Sequence, residues 1–292
     1  MHFRIIFAIL GFAIAGLLLL GSLWIYQSNL RAERLALAEI AALEEVDSEK
    51  PDPGLSYFRR ATDMIAAGNT FEGRDVLLDL VRIYKDSAKY DESKRIIGEI
   101  NMDSLLSRTL SPGKKEYIVQ RGDSLNLIAS RNKTSLDFIQ RANGMFTNTI
   151  HPGEKLVVFP LTDFSLVVDT ENQLLTLKRK GRFFKEYPVS QISYPPGMRA
   201  PFKTKVTNKT AWDGKKKLRS TDFGYSHANR WITLQRSGFM LLPNGVKGQP
   251  PAGTIDPVKA LEEDYVYGVF LLAEDIHEIS AVVTTSTPVS IL

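Results

Sequence analysis

Four histidines and no cysteine bound the chemistry open to this 292-residue chain. Without a thiol it has no disulfide, no thiolate metal site, no cysteine-borne lipid anchor and no cysteine nucleophile. The histidines are His2, His151, His227 and His277. No two stand at metal-ligand spacing and the carboxylates are scattered, so neither a metal site nor another cofactor is expected. Ser226 and His227 are adjacent in a turn-rich stretch and are the one remaining nucleophile and base. Sequence neighbours rarely aim their side chains at one another, and no carboxylate is placed to orient the imidazole, so a serine site is not expected.

The elements around His151 form a small unit. Tyr117-Ile118-Val119-Gln120 alternates as a strand, and Arg121-Gly122-Asp123-Ser124-Leu125 turns it, with Asp123 or Ser124 able to cap a helix. Leu125, Ile128 and Ala129 mark that helix. Thr134 or Ser135 starts a second one, with Leu136, Phe138, Ile139 and Ala142 inward, before Asn143-Gly144 ends it. Ile150-His151-Pro152-Gly153 turns the chain into a second strand, Leu156 to Phe159. This strand, helix, helix, strand order resembles a LysM domain, through the run YIVQRGDSL, the pair Ile128-Ala129, Asn143 and the run IHPGEKLVVFP. The resemblance implies binding of N-acetylglucosamine-containing glycans, in bacteria peptidoglycan strands. Their groove would lie between the loop holding Gly122, Asp123, Ser124 and Leu125 and the loop holding Thr149, Ile150 and His151. Turn amides and carbonyls suit hydroxyl and acetamido groups there, while an apolar wall accepts sugar ring faces.

Beyond Pro160, strands are expected at Phe164 to Asp169, in a hairpin around Gly181, at Phe202 to Val206, Trp231 to Leu234, Gly268 to Leu272 and Val289 to Leu292. One late helix is expected, from Glu274 to Ser280. SLVVDTENQLLTLKRKGRFFKEYPVS, APFKTKVTNKTAW, RWITL and STPVSIL resemble words of the L,D-transpeptidase catalytic domain. The resemblance implies a cysteine thiolate, an activating histidine and an arginine. Here Val269 stands at the cysteine position, Leu271 at the arginine position, Val266 and Tyr267 open the same run, and Leu242 falls where an upstream histidine is expected. The implied site is degenerate, with no catalytic residue.

With 43% hydrophobic and 24% charged residues, the rest is ordinary globular composition, and a net charge of +4 without a reading motif excludes nucleic acid as an expected partner. From Ile5 to Tyr26 about 22 uncharged residues, at roughly 1.5 Å each, match a hydrocarbon core of roughly 30 Å. A single N-terminal transmembrane helix is expected; a cleaved signal peptide is the alternative. Between Leu55 and Leu106 apolar residues recur at helical spacing, and AAGNTFEGRDVLLDLVRIY resembles a tetratricopeptide helix pair, too short to stand without neighbours. Lys178-Arg179-Lys180 and Lys215-Lys216-Lys217 offer solvated strand edges or a surface for anionic wall polymers.

The expected fold class is therefore multidomain α+β. It comprises a transmembrane anchor (1–27), a juxtamembrane helix and linker (28–54), a small helical repeat-like segment (55–110), a βααβ LysM module (115–160) and a mainly-β L,D-transpeptidase-like domain (163–292). The expected function is a peptidoglycan-binding protein held in the inner membrane through Ile5 to Tyr26, with its C-terminal domains periplasmic or extracytoplasmic. The alternatives are an active L,D-transpeptidase, or an adaptor whose helical segment recruits a cell-wall protein partner.

Overall fold

A computed structural model describes residues 52–292 apart from 221, 223, 237 and 252–263. Three helices come first: α1 (Pro53–Ala66), α2 (Thr70–Ile83) and α3 (Tyr90–Leu106). Pro53 opens α1, where its missing N–H costs nothing because first-turn amides have no intrahelical partner. Small residues set how close α1 and α2 lie: a Cβ on Gly73 would come within 2.8 Å of the Ala61 carbonyl oxygen. Ala61, Leu77 and Ile97 close a core between the three helices.

The βααβ unit follows as β1 (Lys115–Ile118), α4 (Leu125–Arg131), α5 (Leu136–Ala142) and β2 (Lys155–Val158). β1 and β2 pair antiparallel, with Lys115 opposite Val158 and Ile118 opposite Lys155. Ten strands of the described residues then form one sheet: β3 (Phe164–Asp169), β4 (Leu174–Arg179), β5 (Arg182–Pro188), β6 (Gln191–Ser193), β7 (Phe202–Trp212), β8 (Lys217–Leu218), β9 (Asn229–Leu234), β10 (Phe239–Pro243), β11 (Tyr267–Leu271) and β12 (Pro288–Ile291). The order is β5-β4-β3-β12-β7-β9-β10-β11-β6, with β8 beside β7. Helix α6 (Ala273–Val282) follows β11, and its Ile276, Ile279 and Val282 join the buried sheet face.

The expected fold class needs correcting in three respects. First, the sheet is mixed, because β10 with β11 and β3 with β12 run parallel. Parallel neighbours need a crossover, and local alternation carries no trace of one. Second, residues Gly54–Leu292 form one compact unit, so the expected helical, LysM and sheet segments do not stand apart from one another. Met102 and Leu105 of α3 and Phe138 and Ala142 of α5 share a single core with the sheet. Lys94 meets Glu186 at 2.7 Å and Lys185 meets Glu99 at 3.0 Å, fastening α3 to β5. Third, no helix among the described residues is long and apolar enough to cross a membrane. Each of the first three helices keeps charged residues on an outer face and buries only one stripe. The expected spanning helix from Ile5 to Tyr26 lies outside the described residues.

Candidate functional site

The loops that the sequence singled out meet at the end of the β1–β2 pair. The Val119 amide donates to the Glu154 carbonyl and the Gly153 amide to the Val119 carbonyl, each at 2.9 Å, which draws the two turns together at their base. Gly122 sits at φ +83°, a conformation that costs a residue with a side chain roughly 1 kcal/mol, and a Cβ there would meet no atom within 4 Å. Asp123 is spent on the turn itself. Its carboxylate accepts from the Gln120 amide at 2.8 Å, the Tyr117 hydroxyl at 2.7 Å and Arg131 at 2.9 Å, and its side chain is 2% exposed. The Gln120 amide and the Tyr117 hydroxyl hold that carboxyl below its usual range.

Ser124 caps α4 by accepting from the Leu127 amide, and Leu125 is buried beneath it. Across from them Thr149 and His151 are exposed, Ile150 packs on the module's own core, and the His151 amide donates to Glu154 at 3.1 Å. Asn143 closes the module by donating to the Val157 carbonyl and accepting from its amide. The Asp123 and Ser124 side chains of the first loop are thus committed internally. What that loop presents outward is the backbone around Gly122.

A buried ionic cluster, missed in the sequence, joins this module to the sheet. Asp137, in the first turn of α5, accepts from Ser280 at 2.7 Å and Tyr225 at 3.2 Å and pairs with Arg230 at 3.2 Å and Lys209 at 3.4 Å. Burial pushes its carboxyl up, but the Lys209 ammonium and the Arg230 guanidinium outweigh that and hold it well below the carboxylate range. Arg230 Nη1 donates to the carbonyls of Tyr225 and Ala228, and the guanidinium lies 4.2 Å over the Tyr225 ring. One signal was legible: Arg230, Ile232 and Leu234 alternate on one face of β9, so the arginine points where the strand's apolar residues point. Its partner 93 residues upstream was not.

The positions matched to transpeptidase chemistry are brought together, but as packing. In the parallel β10–β11 pair, Leu241 lies opposite Val269 and Leu242 opposite Phe270. Leu242, Val269 and Leu271 are fully buried, and Val269 and Leu271 belong to the central core. Tyr267 is half-buried at the start of β11, and the amide of Val266, just ahead of it, donates to the Gly248 carbonyl. Ser226 and His227 lie in a single 3-10 turn, Tyr225–His227, at the edge of the junction with the LysM-like module. Among the described residues no group of three metal-ligating side chains comes together.

Residues 117–159 match the model of the LysM domain. Over 66 residues, 22% of this chain, the sequence is 46% identical to N-acetylmuramoyl-L-alanine amidase sle1 of Staphylococcus aureus, in strains USA300 and COL. The match spans a fifth of those relatives' length, 20%. Among solved structures, the chain is similar to the catalytic domain of Enterococcus faecium L,D-transpeptidase, at 18% identity over 45% of this chain and 98% of that one, with a TM-score of 0.29. It is similar also to Mycobacterium tuberculosis L,D-transpeptidase 1, at 10% identity over 48% and 67% of the two chains, again with a TM-score of 0.29. Residues 117–159 of this chain are a LysM domain.

Proposed function

We propose that the chain binds the glycan strands of peptidoglycan through its LysM domain and works at the cell envelope, and that its sheet region, an L,D-transpeptidase-like fold without catalytic residues, serves as a binding or scaffolding element. The observation that carries this is the LysM match over residues 117–159 together with two turns held side by side, one of them offering bare backbone at Gly122. Turn backbone of this kind meets the hydroxyl and acetamido groups of a neutral sugar without needing a charged side chain.

The full chain should cosediment with purified peptidoglycan, and Gly122→Val should weaken that binding by about tenfold, since a β-branched residue strains the turn whose backbone is to meet the sugar. Unchanged sedimentation of the variant would count against the assignment.

The absence of catalysis rests on a chain with no cysteine and on apolar residues at the matched positions. Neither the natural chain nor Val269→Cys should form a covalent adduct with a carbapenem, as read by intact mass. The introduced thiol would be buried in the core with no histidine beside it to lower its proton affinity. Adduct formation by the natural chain would reveal a nucleophile elsewhere and overturn the proposal of an inactive fold.

A further inference from the structure

A cleft of about 560 Å³ opens where the LysM domain meets the sheet region, over the Asp137 and Arg230 pair. Its walls carry groups that the fold leaves unused. Arg141, at the end of α5, is exposed and its guanidinium has no hydrogen bond or ion pair among the described residues, and neither has the carboxylate of Glu274 in the first turn of α6. His277, one turn further along α6, is half-buried and its imidazole likewise has no hydrogen-bond partner among the described residues. Burial, with Arg230 adding to it, pushes this imidazole down to about 4, so at neutral pH it is an uncharged donor and acceptor. Phe146, 79% exposed, supplies an apolar face at the rim.

The cleft does not end at the junction. A neighbouring cleft of about 890 Å³ shares Gln140, Phe146 and His227 with it and reaches Thr149, on the second loop of the LysM domain. A ligand whose sugars lie at the LysM loops can therefore extend into the junction without leaving the surface. An unpaired guanidinium, an unpaired carboxylate, a neutral imidazole and an exposed ring form a set suited to a short peptide that carries both a carboxylate and an amine. A bare neutral sugar would leave both charges unanswered.

We propose that this junction cleft is a second subsite, which receives a carboxylate- and amine-bearing peptide group attached to the glycan, with Arg141 meeting the carboxylate and Glu274 the amine. The proposal rests on the LysM domain holding the sugar portion.

The test uses the full chain and two soluble probes of equal sugar length, a chito-oligosaccharide and a peptide-bearing wall fragment, titrated by calorimetry. The peptide-bearing fragment should bind about tenfold more tightly, the size expected of one charge-assisted contact. Arg141→Glu should abolish that advantage while leaving the affinity for the chito-oligosaccharide as it was. Because Arg141 is exposed and unbonded, the variant should keep the thermal midpoint of the natural chain, which separates loss of the contact from loss of fold. Equal affinity of the natural chain for the two probes, or an advantage that survives in Arg141→Glu, would overturn the subsite. Failure to bind the chito-oligosaccharide while the peptide-bearing fragment still binds would overturn the assignment of the LysM groove instead.

Discussion

Asp137→Ala is expected to destabilise the folded unit by roughly 3–5 kcal/mol, the cost of leaving a buried ion pair without one partner. The carboxylate answers two cations at once, Arg230 and Lys209, and also accepts from Ser280 and Tyr225. Its removal strands a guanidinium that is 4% exposed and an ammonium that is 18% exposed on their side chains, so the loss exceeds that of any surface salt bridge, usually below about 1 kcal/mol. The effect should also reach across the molecule, because the four partners come from the sheet region and from α6 while Asp137 belongs to the LysM domain.

Urea unfolding at neutral pH reads the cost directly. Its pH dependence carries a sign. The folded carboxyl titrates below the unfolded one, so its contribution is fully present above the unfolded value near 4 and is lost as pH falls through the folded value. The gap between the natural chain and Asp137→Ala should therefore narrow steadily below about pH 4. A gap of under about 1 kcal/mol at neutral pH would mean that the cluster holds the junction no better than a solvated pair does.

Gly268→Ala is expected to cost roughly 3 kcal/mol, the upper end for an overpacked site, by a different route. Gly268 lies inside β11 between β10 and β6, opposite Met240 on one side and Ser193 on the other. A Cβ there would overlap the Met240 carbonyl oxygen and come within 2.8 Å of its carbonyl carbon and 3.0 Å of its amide nitrogen. These are backbone atoms of a neighbouring strand, with no rotamer to move aside, so the parallel β10–β11 pairing itself must shift. Gly122→Ala makes the internal comparison, since its added Cβ meets nothing within 4 Å and only its φ of +83° is strained, a cost of about 1 kcal/mol. Differential scanning calorimetry of the two variants separates the cases. A thermal midpoint for Gly268→Ala no lower than that of Gly122→Ala would show that β11 can be repositioned cheaply.

The LysM domain was legible from residues 115–160 alone because every signal it needs is local. Gly122 for the positive φ, Ser124 and Ser135 as caps and Asn143, whose side chain donates to the Ile139 carbonyl at the end of α5, each act within a few residues, and the structure uses each of them in that way. The strands of the sheet were legible for the same reason where they alternate, as β3 does with Phe164, Leu166 and Val168 inward. The zero cysteine count also needed no structure, since composition alone removes thiolate chemistry.

Tertiary structure decided what depends on residues far apart in the chain. Period-two patterning says which face of a strand is buried and nothing about its neighbour, so the parallel pairings of β10 with β11 and β3 with β12 could not be read from it. The same limit hid Asp137. In sequence it is an acidic residue in the first turn of a short helix, an ordinary place for one, given the helix dipole. Only the fold brings it to Arg230, 93 residues away, and to Ser280, 143 residues away. A buried charge is tolerable only with its partners present, so the pairing that fuses the LysM domain to the sheet is a property of the assembled core and of no single segment.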